Sequence, residues 1–353
     1  MKRTIKRVTC AVLSAVLVAA IGSGCSAGKA TNSGAPAAPG TTTASAAGGS
    51  TTAKYTLLFG HIANEDDPWH KAAVKFADIV KEKSKGQIEV KVYPNNQLGP
   101  ETDVIQAIQN GTADMTITGE TLQKWAPLAA MVAVPYLVKD EASLNKLASS
   151  SIGQEIEQQI ADKAGLKCLT YFVRGPRELT ANKEIKTPAD LQGTRLRIPN
   201  APLYIKPWQA AGAKPTPMAL TEVFTGLQQH TIDAQENPLA MIKSNNLQEV
   251  QKYCMQTDHV RSWIYVVIGK KKFDSMPADL QKVITDASAE MQTYENDLYQ
   301  KSEAETKTWL EQKGMKFVDV DKDAFEKAMV PGVLSTLSPE QKKVYDEIKA
   351  SFN

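Results

Sequence analysis

The sequence predicts an α/β protein built from two domains. Three observations carry this: helix and strand signals alternate from Tyr55 to Thr118, a second alternating block begins at Leu166, and one unbroken helical pattern runs from Pro277 to Gly314. The body holding these signals, about 300 residues, suits two domains of ordinary size.

Tyr55–Gly60 reads as a strand, and Asp67-Pro68 as a helix start, because proline suits the first helical position. Ala73, Phe76, Ala77 and Val80 share one face of that helix up to Gly86, and Ile88–Tyr93 returns as a strand. Pro100 opens a second helix that Asn110-Gly111 closes, and residues 114–118 form the next strand. Such alternation predicts crossover connections and a mainly parallel sheet. The second block has strands at 167–172, from Glu178 onward and at 194–198, with Thr187-Pro188-Ala189-Asp190 as a helix start between them. Thr221 is expected to cap a helix carrying Val223, Phe224 and Leu227, and the apolar run 263–268 to return the chain to the first sheet. The helix after Pro277 would be ~55 Å long at ~1.5 Å per residue, enough to brace both domains. Ser338-Pro339-Glu340 starts a final helix.

The N-terminus reads as a processing signal, residues 1–25. Lys2, Arg3, Lys6 and Arg7 precede an apolar stretch from Val8 to Ile21, too short to span a bilayer comfortably, and small residues lead to Cys25. Residues 26–53, rich in Ser, Thr, Ala and Gly, read as a disordered tether. The full chain has 41 basic and 39 acidic residues; loss of the four basic residues of the signal leaves 37 against 39, a net charge of −2. Nothing in that balance suggests nucleic acid, and Lys270-Lys271-Lys272 is an isolated solvated turn without interleaved aromatics. Two cysteines remain in the body, Cys168 and Cys254, which either pair outside the cytoplasm or stay as buried thiols.

Within the body no dinucleotide or phosphate loop, His-Glu-x-x-His, Cys-x-x-Cys or Gly-x-Ser-x-Gly motif occurs, and the four histidines, His61, His70, His230 and His259, are scattered singly. Glu65-Asp66-Asp67 lacks the alternating spacing of a calcium loop and fits the acidic start of a helix. No metal, cofactor or catalytic constellation is expected. Trp69, Trp125, Trp208 and Trp263 are expected in the core, the second and fourth falling where a cleft-lining aromatic is conceivable.

Arg197 is the most informative residue. It stands in the alternating run Thr194-Arg195-Leu196-Arg197-Ile198-Pro199-Asn200, where a guanidinium in a buried strand implies an anion. The alternative is that Arg195 and Arg197 share a wet face opposite Leu196 and Ile198. A second arginine, Arg177, in an earlier strand and the polar cluster Asp233-Ala234-Gln235-Glu236-Asn237-Pro238 favour the anion.

Three segments then make a family resemblance. Arg177-Glu178-Leu179-Thr180, Thr187-Pro188-Ala189-Asp190-Leu191-Gln192-Gly193 and Leu196-Arg197-Ile198-Pro199-Asn200 occur in order, followed by Gly212 to Met218, Glu222-Val223 and Gln235-Glu236-Asn237-Pro238. From Tyr55 onward the chain resembles the DctP family, the extracytoplasmic receptors of tripartite ATP-independent periplasmic (TRAP) transporters. Gly22-Ser23-Gly24-Cys25 likewise resembles a bacterial lipobox, with Gly22 where leucine is common, implying a lipidated Cys25 and a tether to the outer face of the cytoplasmic membrane.

The resemblance implies a two-lobed periplasmic-binding-protein-like fold with two α/β domains, hinge strands and a long helix spanning both lobes. It places lobe I at 54–174 plus about 262–300, and lobe II at 175–261 plus about 301–353. It makes Arg197 the carboxylate anchor, Arg177 a second arginine on the same carboxylate, Asn237 an amide bonded to it, and Glu120 a first-lobe contact for the rest of the solute. Arg177 has the alternative of pairing with Glu178 or another carboxylate, and Glu236 that of holding its loop. The family usually has glycine where Ala234 stands, and its sialic-acid branch an aromatic at Leu220. The implied solute is a C4-dicarboxylate, a sugar acid or another short organic acid, bound by a monomer and passed to small and large TRAP membrane subunits with a sodium gradient. An ABC-type or sensory binding lipoprotein would share this shape.

Overall fold

The protein is described by a computed structural model over residues 53–352. The predicted signal, Cys25 and the tether as far as residue 52 lie outside the described residues.

The first half follows the predicted alternation: β1 (Tyr55–Gly60), α1 (Pro68–Lys83), β2 (Ile88–Tyr93), α2 (Glu101–Asn110) and β3 (Met115–Thr118). Asp67 caps α1 by accepting from the Trp69 N–H at 2.9 Å, and Ala72, Ala73, Phe76, Ile79 and Val80 bury one face at helical spacing. Gly111 ends α2 at φ 79°, a left-handed conformation that costs glycine no Cβ clash. Short 3-10 turns at Glu120–Lys124 and Pro127–Ala133 then lead to α3 (Glu141–Ala148) and α4 (Ser151–Gln159).

The second half holds β4 (Leu166–Ala181), β5 (Arg195–Ile198), α5 (Ile205–Ala210), β6 (Lys214–Pro217), α6 (Leu220–Gln228), β7 (Ala234–Pro238), α7 (Leu239–Ser244) and β8 (Tyr253–Gly269). After the short α8 (Lys270–Asp274) come α9 (Ala278–Gln312), β9 (Lys316–Val318), α10 (Lys322–Leu334) and α11 (Pro339–Phe352). The expected Lys270 turn is thus helical, and Ala219, not Thr221, stands at the cap of α6, its N–H bonded to the Glu222 carboxylate at 3.2 Å.

The strands make one nine-stranded sheet in the order β2-β1-β3-β8-β4-β7-β5-β6, with β9 beside β8. The expectation of a mainly parallel sheet holds for five of the eight strand pairings, β8 with β9 among them, and fails at the centre. The outer groups β2-β1-β3 and β7-β5-β6 are parallel, as crossovers require, but β4 and β8 run antiparallel to each other and to the outer strands they meet. The two strands expected on either side of Gly175-Pro176 are one 16-residue strand, β4, whose register against β8 slips between Arg174 and Arg177. That proline makes a bulge and not a terminus.

Alternate residues of β8 feed two hydrophobic cores: Trp263, Tyr265 and Val267 enter one, and Ile264, Val266 and Ile268 the other. A strand covered on both faces reads as an unbroken apolar run, which is why 263–268 carried no alternation. The 35 residues of α9 extend ~52 Å, burying Leu280, Ile284, Ala287, Met291 and Leu310 along one stripe against α1, β4 and α7. α11 returns to the first half, where Gln341 donates to the Pro127 carbonyl at 2.8 Å. Among the described residues no helix is long and apolar enough to cross a membrane.

Candidate functional site

Arg174 and Arg177 flank the bulge in β4, Arg197 lies in β5 and Asn237 near the end of β7, so the sheet brings them to one place. There they line a cleft of about 700 Å³, counting its open mouth, together with Glu101 and Glu120 from the first half. All four residues predicted for the solute site, Arg197, Arg177, Asn237 and Glu120, therefore share one cavity.

Arg197 is 3 % exposed, whereas Arg195, on the same face of β5, is exposed and paired with Asp233. Arg197 donates from Nε at 3.0 Å and Nη2 at 2.7 Å to one acceptor, the Met218 carbonyl. No carboxylate lies within ion-pair distance of it among the described residues. Of the five N–H donors a guanidinium carries, the Nη1 pair and one on Nη2 remain uncommitted. Burial pushes its pKa down to about 10, against the pull of Glu236, so it stays charged at neutral pH.

Arg177, 1 % exposed, is differently placed. Its Nε and Nη2 bind both carboxylate oxygens of Glu236, and Nη2 also reaches the Glu236 carbonyl at 2.8 Å and Asn237 Oδ1 at 3.2 Å. The pairing left open for Arg177 is thus with Glu236, while its Nη1 stands 3.7 Å from Glu120. His259 closes the far side of Glu236 at 2.9 Å and meets Thr257 Oγ1 at 2.9 Å. Burial alone would raise the Glu236 pKa, but Arg177 and the His259 hydrogen bond override it and hold it at about 2. Glu236 is fully buried behind the cleft, so it holds the arginine and does not line the wall.

Asn237 donates from Nδ2 to Gln235 at 2.7 Å, and Gln235 in turn to Thr180 at 2.9 Å, so a buried polar chain fixes the amide. Glu120 is clasped by Arg174 at 3.1 Å. Burial pushes its carboxyl up, but Arg174 and Arg177 outweigh that and leave it below the ordinary range.

Sequence reasoning missed Arg174, Glu101 and Asn96. Arg174 carries its charge over the Trp69 ring, 5.5 Å from the centroid, so the cleft-lining tryptophan is Trp69 and not Trp125 or Trp263. Glu101, at the first turn of α2, accepts from Thr118 Oγ1 at 2.5 Å. Burial and then the Glu120 charge push its pKa up. Asn96 Oδ1 is buried without a hydrogen bond. The Gly-Pro break between Arg174 and Arg177 was the available signal, since two arginines flank it. Cys168 and Cys254 are free, and among the described residues no group of three or more His, Cys, Asp or Glu side chains is placed to hold a metal ion.

A buried arginine open to a cleft at a strand crossing is the arrangement to compare with known proteins. The profile of the bacterial extracellular solute-binding proteins of family 7, DctP, matches residues 59–337. The chain belongs to this family. A TRAP periplasmic solute-binding protein of Roseobacter denitrificans, solved with L-galactonate bound, is 48 % identical and superposes with a TM-score of 0.83 over 84 % of this chain and 99 % of that one. The 2,3-diketo-L-gulonate-binding periplasmic protein YiaO of Escherichia coli is 34 % identical over 79 % of this chain and 86 % of its own. A TRAP receptor of Xanthobacter autotrophicus with bound β-D-galacturonate is 28 % identical, with a TM-score of 0.80 over 83 % and 99 % of the two chains. The DctP receptor fold is the two-lobed α/β form, and both departures noted in the sequence fit within it here. Ala234 is fully buried opposite Ala181, and Leu220 lines the cleft.

Proposed function

We propose that this DctP protein is an extracytoplasmic receptor that captures a carboxylate-bearing organic acid, a sugar acid in the first instance, and delivers it to a TRAP transporter. The observation that carries the reading is Arg197, a buried guanidinium with an uncommitted edge and, among the described residues, no carboxylate partner. A planar fork of donors matches both oxygens of a solute carboxylate, and burying an unpaired cation is costly until such an anion arrives. Asn237 and the Nη1 side of Arg177 flank that position, Arg174 stands beside them across the β4 bulge, and Glu120 and Glu101 face it from the first half. The sugar acids bound by the relatives support the solute class.

No bond is made or broken in this mechanism. The lobes, 54–174 with about 262–300 and 175–261 with about 301–353, hinge where β4 and β8 cross at the Arg174–Arg177 bulge, with α9 as a brace. Closure desolvates the carboxylate on Arg197, and the small and large membrane subunits read the closed form. The receptor works as a monomer held by lipid on Cys25. In support, the exposed large apolar side chains among the described residues, Val74, Tyr294 and Leu334, lie on three separate helices.

A thermal-shift screen of the soluble body against organic acids tests the reading. A solute at 100 times its Kd adds ~2.7 kcal/mol of stability, so a true ligand raises Tm visibly. Silence to every carboxylate would sink it.

A further inference from the structure

Counting charge around the cleft separates the acids this receptor can hold from those it cannot. Three guanidiniums line it, and two are already matched within the protein. Arg177 is bound through two nitrogens to the Glu236 carboxylate, and Arg174 stands 3.1 Å from Glu120. All four of these side chains are less than a tenth exposed, so the pairs are not screened by water. Among the described residues that line the cleft, Arg197 is the single surplus cation.

One carboxyl in the lining also lacks a cation. Glu101 is held by hydroxyls, those of Thr118 and Thr121, and no lysine or arginine lies within ion-pair distance of it among the described residues. Two further atoms in the same lining are buried with no hydrogen-bond partner, Asn96 Oδ1 and Arg174 Nε. One is an acceptor and the other a donor, which is what a hydroxylated chain satisfies and a bare hydrocarbon does not.

Resting on the receptor reading above, we propose that the site is built for monocarboxylates with a hydroxylated tail, that it rejects dicarboxylates of the same length, and that Glu101 is a residue enforcing the difference. The first carboxylate neutralises Arg197. A second has no cation left to meet, because Arg174 and Arg177 are spent on Glu120 and Glu236, and it enters a wall that already carries Glu101 and Glu120. Buried like charge is among the strongest grounds on which a site refuses a ligand. A hydroxyl at the same place donates to Glu101 or to Asn96 Oδ1 and carries no charge. Protonation of Glu101 removes its own repulsion but supplies no cation, so one acid group remains uncompensated.

The test is calorimetric binding of L-galactonate, D-galacturonate and galactarate to the intact body, the last being the diacid of the same carbon chain. The wild type is expected to bind at least one of the two monoacids, with galactarate roughly 100-fold weaker. In Glu101→Gln, which keeps the shape and a hydrogen-bonding amide, the ratio of the galactarate Kd to the monoacid Kd should shrink to about tenfold or less, whatever the variant loses in monoacid affinity. Galactarate bound as tightly as the monoacid by the wild type would overturn the proposal and leave the receptor reading standing. A ratio unchanged in Glu101→Gln, with the variant's Tm intact, would remove Glu101 from that role. Failure of both monoacids to bind would overturn this proposal, while the receptor reading would fall only if the wider screen of carboxylates were silent as well.

Discussion

Arg197 donates twice to the Met218 carbonyl and, among the described residues, reaches no carboxylate. The carbonyl orients the guanidinium by one edge and leaves the other toward the cleft, so the orientation costs no charge. Arg197→Lys keeps the charge but loses the fork and the two-nitrogen grip on Met218. Its affinity for the solute should fall by ~2 to 5 kcal/mol, about thirtyfold or more in Kd by calorimetry. Wild-type affinity in the variant would remove Arg197 as the anchor.

The same residue should behave oppositely in the ligand-free protein. Arg197 is buried at a net cost when no anion is present, so Arg197→Met should leave the apo Tm unchanged or raise it while abolishing binding. Arg177 gives the contrast, since it is locked to Glu236, which also meets His259. Glu236→Ala strands a buried guanidinium and should cost ~3 to 5 kcal/mol of stability in denaturant unfolding. If the two variants changed stability alike, the division between a binding arginine and a supporting one would be wrong.

The parts of this arrangement legible in the sequence are those written locally. Asp67-Pro68 and Asn110-Gly111 announce helix ends because caps and turns are made by adjacent residues, and Arg177, Arg197 and Asn237 sit in recognisable segments. The long strands were not legible. Gly175-Pro176 looks like a stop, yet pairing across the sheet carries β4 through it. The ion pairs were hidden for a related reason. Arg174 and Glu120 lie 54 residues apart, and Glu101 reads simply as an acid favoured in the first turn of a helix.

Stability should depend on pH through acids buried without adequate partners. Burial pushes the Glu303 carboxyl up to about 7 and that of Glu178 up to about 8, from an ordinary value near 4.5. A group with its folded pKa raised stabilises fully below the unfolded value, and that contribution is lost as pH climbs through the folded one. His61 runs the other way: burial lowers it to about 3, so its contribution is complete above about 6.5 and is lost as pH falls toward 3. Above pH 6.5 only the carboxyl contributions change, and the apo Tm should decline toward pH 8.5. Glu303→Gln should flatten part of that decline, and a Tm level across this range would contradict the assignment.

The proposed lipid tether on Cys25 gives the last prediction, one that concerns delivery and not capture. A single acyl chain holds a protein only marginally at a bilayer, whereas the diacyl-type modification of a lipobox cysteine supplies enough buried methylene, at about 0.8 kcal/mol each, to retain it. Wild-type cells should therefore hold the receptor in the membrane fraction, labelled by radioactive palmitate. Cys25→Ala should move it to the soluble extracytoplasmic fraction without label, while the purified body keeps its solute affinity, because the cleft is assembled wholly from residues after Tyr55. Uptake should then fall, since the receptor no longer shares a surface with its membrane subunits and loses the effective concentration a tether confers. A Cys25→Ala protein still in the membrane fraction would show that the lipobox reading is mistaken, and would leave the charge balance of the cleft untouched.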